Sequence, residues 1–216
     1  MQFFFTGSFG RRFTSWDDLA HPKGTMRYPP EHKAEVHQKI VKDASLRIRS
    51  EGLTGAAVAA VMRDTGLTHG GFYKHFASKE DLLIESVRES FRDIIDKLVR
   101  AAEQSRSGPA WKAIVKCYLS LEYCEDAEHG CPLTALAPEL ARVDEGMREQ
   151  FFAELVNYKD RMVPFMPGRG KKDKESAFFV IFSTMIGAMQ IARMLPDRAV
   201  QEKVLASARD SLLRSF

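Results

Sequence analysis

His129 and Cys131 lie two residues apart in the run His129-Gly130-Cys131-Pro132, a spacing that could support thiol chemistry. A neighbouring imidazolium lowers the pKa of a cysteine, and the thiolate is the nucleophilic form. We expect Gly130 to leave the thiol sterically open and Pro132 to keep it out of a regular packing layer. Such a thiol would serve a redox or electrophile sensor or, in a different class, a helical cysteine enzyme. The competing interpretation is a buried, inert cysteine beside a helix break.

The sequence offers little further support for catalysis or metal binding. Its three cysteines are an odd number without Cys-x-x-Cys spacing, which argues against a zinc site and a disulfide framework. No glycine-rich phosphate loop is present, and His69 and His75 have no partner carboxylates beside them in the sequence. We therefore expect no enzyme, no metal and no cofactor, and a reducing cytoplasm as the location.

Residues 54–83 indicate a different chemistry, the binding of a polyanion. Two short helices joined by a turn at Gly66 form the skeleton of a helix-turn-helix, whose second helix lies in the major groove of DNA. Phe72 and Phe76 are expected to pin that helix to a core. Lys79 stands at the start of a long helix, where backbone amides and the helix dipole favour a phosphate. The residues expected to be exposed on the second helix are Thr68, His69, Gly70, Tyr73 and Lys74.

Charge and glycine content bear on the same segment. Residues 26–79 carry a net charge of +4, whereas residues 80–216 carry −2, so the basic part is the one suited to a polyanion. Gly70 and Gly71 each disfavour a helix by about 1 kcal/mol relative to alanine. Residues 68–71 are therefore either a plain loop or a place where the backbone approaches DNA closely.

The segment resembles the tetracycline-repressor (TetR) family of bacterial regulators over residues 33–83, about a quarter of the chain. The resemblance is carried by Thr54, Val58, Gly66, Leu67-Thr68, Phe72-Tyr73, His75-Phe76 and Ser78-Lys79-Glu80. It implies an all-α fold of about nine helices, a homodimer, and an effector pocket in the C-terminal part. The double-stranded DNA it binds would be a palindromic operator.

The same resemblance implies roles for individual residues. Tyr73 and Lys79 would contact phosphates, and Lys74 and His75 would lie near the DNA backbone. The groove would be faced by Thr68, His69, Gly70 and Gly71. Thr54 completes the expected DNA-contacting set and can also cap the helix that follows it.

Apolar periodicity predicts helices along most of the chain from residue 31. Val36, Ile40, Ala44 and Ile48 form one stripe, and Ser78 and Asp81 have the spacing of a capping box at the start of a long helix. A further helix is expected to run from Pro109 through Leu121. We divide the chain into an N-terminal extension (1–30), a helix-turn-helix domain (31–77) and a helical effector-binding and dimerisation domain (78–216). The helix over 78–103 would link the effector pocket to the DNA-binding module.

The first residues lack this periodicity. Residues 1–25 are rich in small and turn-forming residues, so we expect them to be disordered. Met26, just before the first helical pattern, is an alternative start of the protein.

Aromatic and methionine side chains in the second half could line a pocket for an apolar or amphipathic effector. Core packing would explain the same residues. The candidates are Trp111, Tyr118, Tyr123, Phe152, Met162, Met185 and Met189.

The run 177–195 is apolar almost all round, so a helix there must be buried on more than one side. With the stripe over 199–213 it could form half of a four-helix dimer interface, where Gly187, Ala188 and Ala192 allow close approach. A monomeric core and a membrane span are the alternatives, and polar residues such as Gln190 and Arg193 argue against the span. Together these features predict a cytoplasmic, dimeric repressor that a small molecule releases from DNA, with no membrane association.

Overall fold

The computed structural model describes residues 30–106 and 108–216, so that residues 1–29 of the predicted extension (1–30) lie outside them and Pro30 begins the first helix. The described part is all-α, as predicted, with nine α-helices and no strand. The helices are α1 (Pro30–Glu51), α2 (Val58–Asp64), α3 (Lys79–Glu103), α4 (Ala110–Tyr118), α5 (Leu121–Glu125), α6 (Pro132–Leu140), α7 (Glu145–Met162), α8 (Lys171–Met194) and α9 (Arg198–Ser215). Single 3₁₀ turns occupy Leu53–Ala56, His69–Lys74 and Val163–Phe165.

The N-terminal module, α1 and α2 with the segment through Phe76, has a small core of its own. The predicted α1 stripe supplies Ile40 and Ala44 to it, both fully buried, while Ile48 faces the larger core behind. α1 ends at Glu51, and the φ of 77° at the following Gly52 is a left-handed conformation that glycine adopts without strain. One helix therefore packs on both hydrophobic cores.

α3 joins the module to the rest of the chain. The predicted capping box is present: Asp81 N–H donates to Ser78 Oγ at 3.0 Å, and Ser78 N–H donates to Asp81 Oδ2 at 3.1 Å. Leu82 packs into the small core, whereas Leu83 packs into the large one together with Val87, Phe91, Ile94 and Leu98. Because successive helical residues point about 100° apart, a single turn of α3 serves both cores.

The helix predicted from Pro109 through Leu121 is wrong in its length. α4 ends at Tyr118, and Leu119 leaves the helical conformation with φ −92° and ψ 45°. The chain re-enters a helix at α5, where Ser120 Oγ accepts a hydrogen bond from Tyr123 N–H at 3.1 Å. Ser120 is a good N-cap, and its side chain satisfies one of the amides that a helix start leaves free.

α8 has the length and hydropathy of a membrane span, but 44% of its apolar window is buried within the protein, where it packs on α9 and α6. The expectation that Ala188 and Ala192 form the open contact surface is wrong, because both are buried in the core of this chain. The outward face of α8 is a different stripe, spaced three and four residues apart: Val180, Ser183, Gly187, Ile191 and Met194.

Candidate nucleic-acid interface and the core behind it

The turn between α2 and the next helical segment is built by backbone and hydroxyl hydrogen bonds. Gly66 has a φ of 76°, which favours glycine, and the next residue's amide, Leu67 N–H, donates to Met62 O at 2.7 Å. Thr65 Oγ donates back to the carbonyls of Val61 and Met62 at 3.1 and 2.9 Å. The turn therefore closes on its own backbone and fixes the angle at which the following segment leaves α2.

The segment after the turn is a 3₁₀ helix, His69–Lys74, rather than an α-helix. Phe72 and Phe76 anchor it as predicted, since both are buried and their rings stack with centroids 5.3 Å apart. Tyr73, between them, is 68% exposed although its ring meets Phe72 edge to face. The alternation of buried and exposed side chains presents a short polar face to solvent.

Seven of the nine residues predicted to contact DNA are exposed around this face and the start of α3: Thr54, Thr68, His69, Gly70, Tyr73, Lys74 and Lys79. The expected capping role of Thr54 is wrong, because Ala57 is the N-cap of α2 and has no side-chain capping hydrogen bond. Thr54 Oγ1 instead donates to Glu51 O at 3.3 Å, and Thr68 occupies the N-cap position through its backbone alone. Both hydroxyls are thus left at the surface.

Gly71 and His75 do not share the exposed face. Gly71 is half-buried, and a Cβ there would lie 3.6 Å from Thr68 Oγ1 and 3.7 Å from Met62 Cε, so its orientation toward the groove stays a prediction. His75 is half-buried, with its Nδ1 inside the module. Burial lowers the pKa of His75, and the nearby His37, Lys33 and Lys74 lower it further.

A contribution from α1 was missed in the sequence. Lys33, exposed near the start of α1, lies close enough to His75 to affect its pKa. One turn later the His37 ring stacks on Phe76 with centroids 4.5 Å apart, and its Nε2 lies 2.7 Å from Glu85 Oε2 on α3. The four-residue spacing of Lys33 and His37 places them on one side of α1, but the sequence alone did not show that this side meets the recognition segment.

Arg47 fastens α1 to the helix-turn-helix. Its Nε donates to Gly55 O at 3.0 Å, and its two terminal nitrogens pair with Glu51 and with Asp64 at the end of α2. A guanidinium suits this position because its planar set of donors can serve several acceptors at once. The exposed face thus stands on a support that is fixed from α1.

Comparison with known proteins agrees with this arrangement. Residues 43–85 match the family described as bacterial regulatory proteins, tetR family. The chain is 25% identical over 186 residues to an uncharacterized HTH-type transcriptional regulator in the lacX 3′ region of Lactococcus lactis subsp. lactis, covering 83% of this chain and 92% of that protein. Over most of its length the chain is therefore similar to TetR-family regulators.

Solved structures of similar fold extend over the C-terminal helices of the regulator. A TetR-family transcriptional regulator from Cytophaga hutchinsonii superposes with a TM-score of 0.68 at 20% identity, over 84% of this chain and 95% of that one. The transcriptional regulator FadR from Bacillus subtilis, in complex with stearoyl-CoA, does so at 0.59 and 17% identity, over 82% and 96%. The relatives are transcriptional regulators rather than enzymes.

Six of the seven side chains predicted to line an effector pocket lie in the large core of the regulator: Trp111, Tyr118, Tyr123, Met162, Met185 and Met189. Phe152 was wrongly included, because it is 64% exposed on α7. The α7 helix buries Phe151, its neighbour, and adjacent helical positions cannot both face the core. The buried six are packed against one another in this conformation.

Tyr118 connects the core to α6. Its hydroxyl lies 2.6 Å from Thr134 Oγ1, and the Thr134 carbonyl accepts a 3.1 Å hydrogen bond from Gln190 Nε2 of α8. These bonds tie α4, α6 and α8 together within an apolar environment, where hydrogen-bond geometry is strongly enforced.

The expectation of a sterically open Cys131 thiol is wrong. Cys131 is fully buried at the N-cap position of α6, and Pro132 begins that helix instead of disrupting it. The guanidinium of Arg193 occupies the space beside Gly130, where a Cβ would lie 2.7 Å from Nη2. Gly130 therefore leaves no open approach to the neighbouring thiol. The His129 ring points to Asp126, with 2.8 Å between Nδ1 and Oδ1, and is exposed. The geometry therefore gives no support to the thiol sensor.

Proposed function

We propose that the chain is a TetR-family regulator, a dimeric repressor of the cytoplasm that binds a palindromic operator and leaves it when a small molecule binds. In this proposal residues 31–77 are the DNA-binding domain and residues 78–216 bind the effector and form the dimer. Two recognition segments would enter successive major grooves about 34–36 Å apart, which requires two-fold symmetry in the operator.

The observation that carries the DNA-binding part is the exposed face around Tyr73. Its ring is 68% exposed while both flanking phenylalanines, Phe72 and Phe76, are buried. Lys74, which follows Tyr73 in the chain, and Lys79, at the start of α3, are exposed as well. An exposed aromatic hydroxyl beside two ammonium groups suits phosphate oxygens, and the open Gly70 allows the backbone to approach the groove.

The dimer is supported by the outward stripe of α8. Val180 is 50% exposed, Ile191 53% and Met194 81%, although they belong to a helix that is otherwise packed. Gly187, between them, has open space where a Cβ would lie. Contiguous apolar exposure of this kind marks interaction surfaces, and a two-fold axis across α8 and α9 would bury it in a four-helix bundle.

The effector would occupy the core that holds the six buried candidates. Its aromatic and methionine side chains suit an apolar or amphipathic molecule, and the structurally similar FadR was solved with stearoyl-CoA. An effector can displace the repressor only if it binds more tightly to a conformation that no longer matches the operator.

Footprinting on the DNA upstream of the regulator's own gene and its neighbours tests the proposal. We expect a protected palindrome, with binding that weakens steeply as salt rises. Tyr73→Ala should lose the protection, whereas Phe152→Ala, an exposed aromatic on α7, should keep it. Protection that is not sequence-specific, or that survives Tyr73→Ala unchanged, would contradict the proposed interface.

A further inference from the structure

Arg49, Tyr123 and Tyr158 each bury a hydrogen-bonding atom for which the described residues supply no partner. The three residues are 3%, 2% and 0% exposed, and the atoms are Arg49 Nη1 and the two phenolic hydroxyls. Within the described ranges these are three of four such atoms, the other being His75 Nδ1. Buried polar groups are nearly always hydrogen-bonded, so three unsatisfied ones call for an explanation.

The three atoms belong to one region of the molecule. The rings of Tyr123 and Tyr118 lie 5.2 Å apart. Burial raises the pKa of Tyr123 well above its ordinary value, and the charge of Arg49 is near enough to oppose that rise. Burial likewise raises the pKa of Tyr158, and the nearby Tyr123 raises it further. Both hydroxyls therefore remain protonated at neutral pH and can donate.

Positive charge surrounds Tyr123. Lys97 Nζ lies 4.2 Å from the centroid of its ring, and the Arg193 guanidinium lies 6.0 Å away. Arg49 Nη2 donates to Asp93 Oδ2 at 2.9 Å, and Lys97 lies near enough to Asp126 to affect its pKa. Arg193 donates to the backbone carbonyls of Tyr123, Cys124 and Asp126, and among the described residues no carboxylate forms an ion pair with its guanidinium. The Arg193 charge leaves the region favourable to an anion.

The walls beside these donors are aromatic. The Tyr158 ring contacts Phe182, Phe91 and Phe178 with centroids 5.2, 5.9 and 6.2 Å away. An apolar body would be held by dispersion and ring contacts there, while its polar end would meet the donors.

We propose that Arg49, Tyr123 and Tyr158 form the polar end of the effector site and that the effector is an organic acid, an anionic acceptor group on an apolar body. A guanidinium can only donate hydrogen bonds. A single ligand group that pairs with all three atoms must therefore be a hydrogen-bond acceptor. A carboxylate has the lone pairs to do so, and charge-assisted hydrogen bonds are the stronger kind. The inference rests on the proposed function, because it assigns ligand chemistry to the same core.

A surface cleft of about 660 Å³ lies between α1, α6 and α8, and of the three donors Arg49 lines it. Its lining includes Arg49, Gly52, Thr134, Glu139, Gln190 and Arg193. Thr134 also holds the hydroxyl of Tyr118, whose ring lies 5.2 Å from the ring of Tyr123. Because Arg49 belongs to α1, an acid that binds it acts directly on the helix that supports the DNA-binding face.

Calorimetry and thermal unfolding of the full chain with 4-phenylbutyrate and octanoate, each against its methyl ester, test the proposal. We expect the acids to bind at least tenfold more tightly than the esters. Tyr123→Phe and Tyr158→Phe should leave the unliganded melting temperature unchanged or higher, since no hydrogen bond is lost, and should weaken acid binding at least tenfold. Tyr118→Phe, which does lose a hydrogen bond, is the control expected to lower the melting temperature without ligand.

Three results would overturn the inference: equal binding of acid and ester, no binding of either acid at millimolar concentration, or unliganded melting of the Tyr123 and Tyr158 variants as low as that of Tyr118→Phe. The last would show hydroxyls already satisfied by buried water. Footprinting without ligand separates this from the proposed function. If the operator is protected and a neutral apolar compound releases it, the organic-acid inference fails alone. Without specific DNA binding, the proposed function fails.

Discussion

The side-chain carboxylate of Glu139 accepts a 2.7 Å hydrogen bond from the backbone amide of Leu53. Glu139 lies near the end of α6, and Leu53 begins the 3₁₀ turn that leads into α2. At its other end α6 carries Thr134, the partner of the Tyr118 hydroxyl. α6 therefore connects the large core to the helix-turn-helix, beside the connection through α3 that the sequence indicated.

Replacing Glu139 with alanine should destabilise the N-terminal module, because the Leu53 amide would lose its acceptor. The loss of a partner for a half-buried amide costs about 1–3 kcal/mol. Amide hydrogen exchange at Leu53 should accelerate in Glu139→Ala and change much less in Glu139→Gln, which retains an acceptor oxygen. Equal exchange rates in the wild type and Glu139→Ala would show that the bond is not formed in solution.

Gly55→Ala should destabilise the same module. A Cβ there would lie 2.7 Å from Arg47 O and 2.9 Å from Arg47 C, both backbone atoms that cannot move alone. We expect a loss of about 1–3 kcal/mol in the free energy of unfolding, as for other overpacked sites. Gly70→Ala is the control, since nothing lies within 4 Å of its Cβ position. Denaturant unfolding of both variants gives the comparison, and similar stabilities would contradict the close approach.

Lys79→Ala should weaken binding to specific and nonspecific DNA alike. Lys79 is exposed at the first position of α3, where a phosphate would meet both its ammonium and the helix N-terminus. The slope of log affinity against log salt should become shallower by about one unit. Lys172→Ala, an exposed lysine on α8, should leave the slope unchanged. An altered sequence preference at constant slope would instead indicate a base contact.

Ile191→Asp should produce monomers and abolish operator binding. The change places a charge in the middle of the outward α8 stripe, where dimerisation would bury it without a partner. Sedimentation velocity measures the oligomeric state, and specific binding falls because two linked modules are needed for operator affinity. Phe152→Asp, equally exposed but on α7, should stay dimeric. A monomeric Phe152→Asp variant together with a dimeric Ile191→Asp variant would show that the interface lies on α7 instead.

Protonation of His75 should weaken the fold. Its pKa in the folded state lies below the ordinary 6.5, first because of burial and then because of His37 and the two lysines. Above pH 6.5 both states are neutral at this site and it contributes no pH dependence. As pH falls below 6.5 the unfolded chain binds the proton more readily, so stability is lost. His75→Gln should flatten the melting-temperature profile between pH 7 and 5, and an unchanged profile would exclude His75 as the cause.

Local signals determined much of this protein. Apolar stripes such as Ile40, Ala44 and Ile48, the Ser78–Asp81 capping box and the Gly66 turn act over a few residues, so the sequence alone specified the helices and the exposed face around Tyr73. The same signals supported the resemblance to a DNA-binding family. They operate within a single helix or turn, where spacing fixes direction.

Only the tertiary structure decided which side chains are buried or paired between helices that are far apart in the chain. It buried Cys131, exposed Phe152, and turned Ala188 and Ala192 inward so that Val180 and Ile191 face out. It also brought Glu139 to Leu53, 86 positions away in the chain, and left Tyr123 and Tyr158 without hydrogen-bond partners among the described residues. Burial and pairing across such separations depend on how helices pack, and a periodic pattern states that a face is apolar without stating which neighbour covers it.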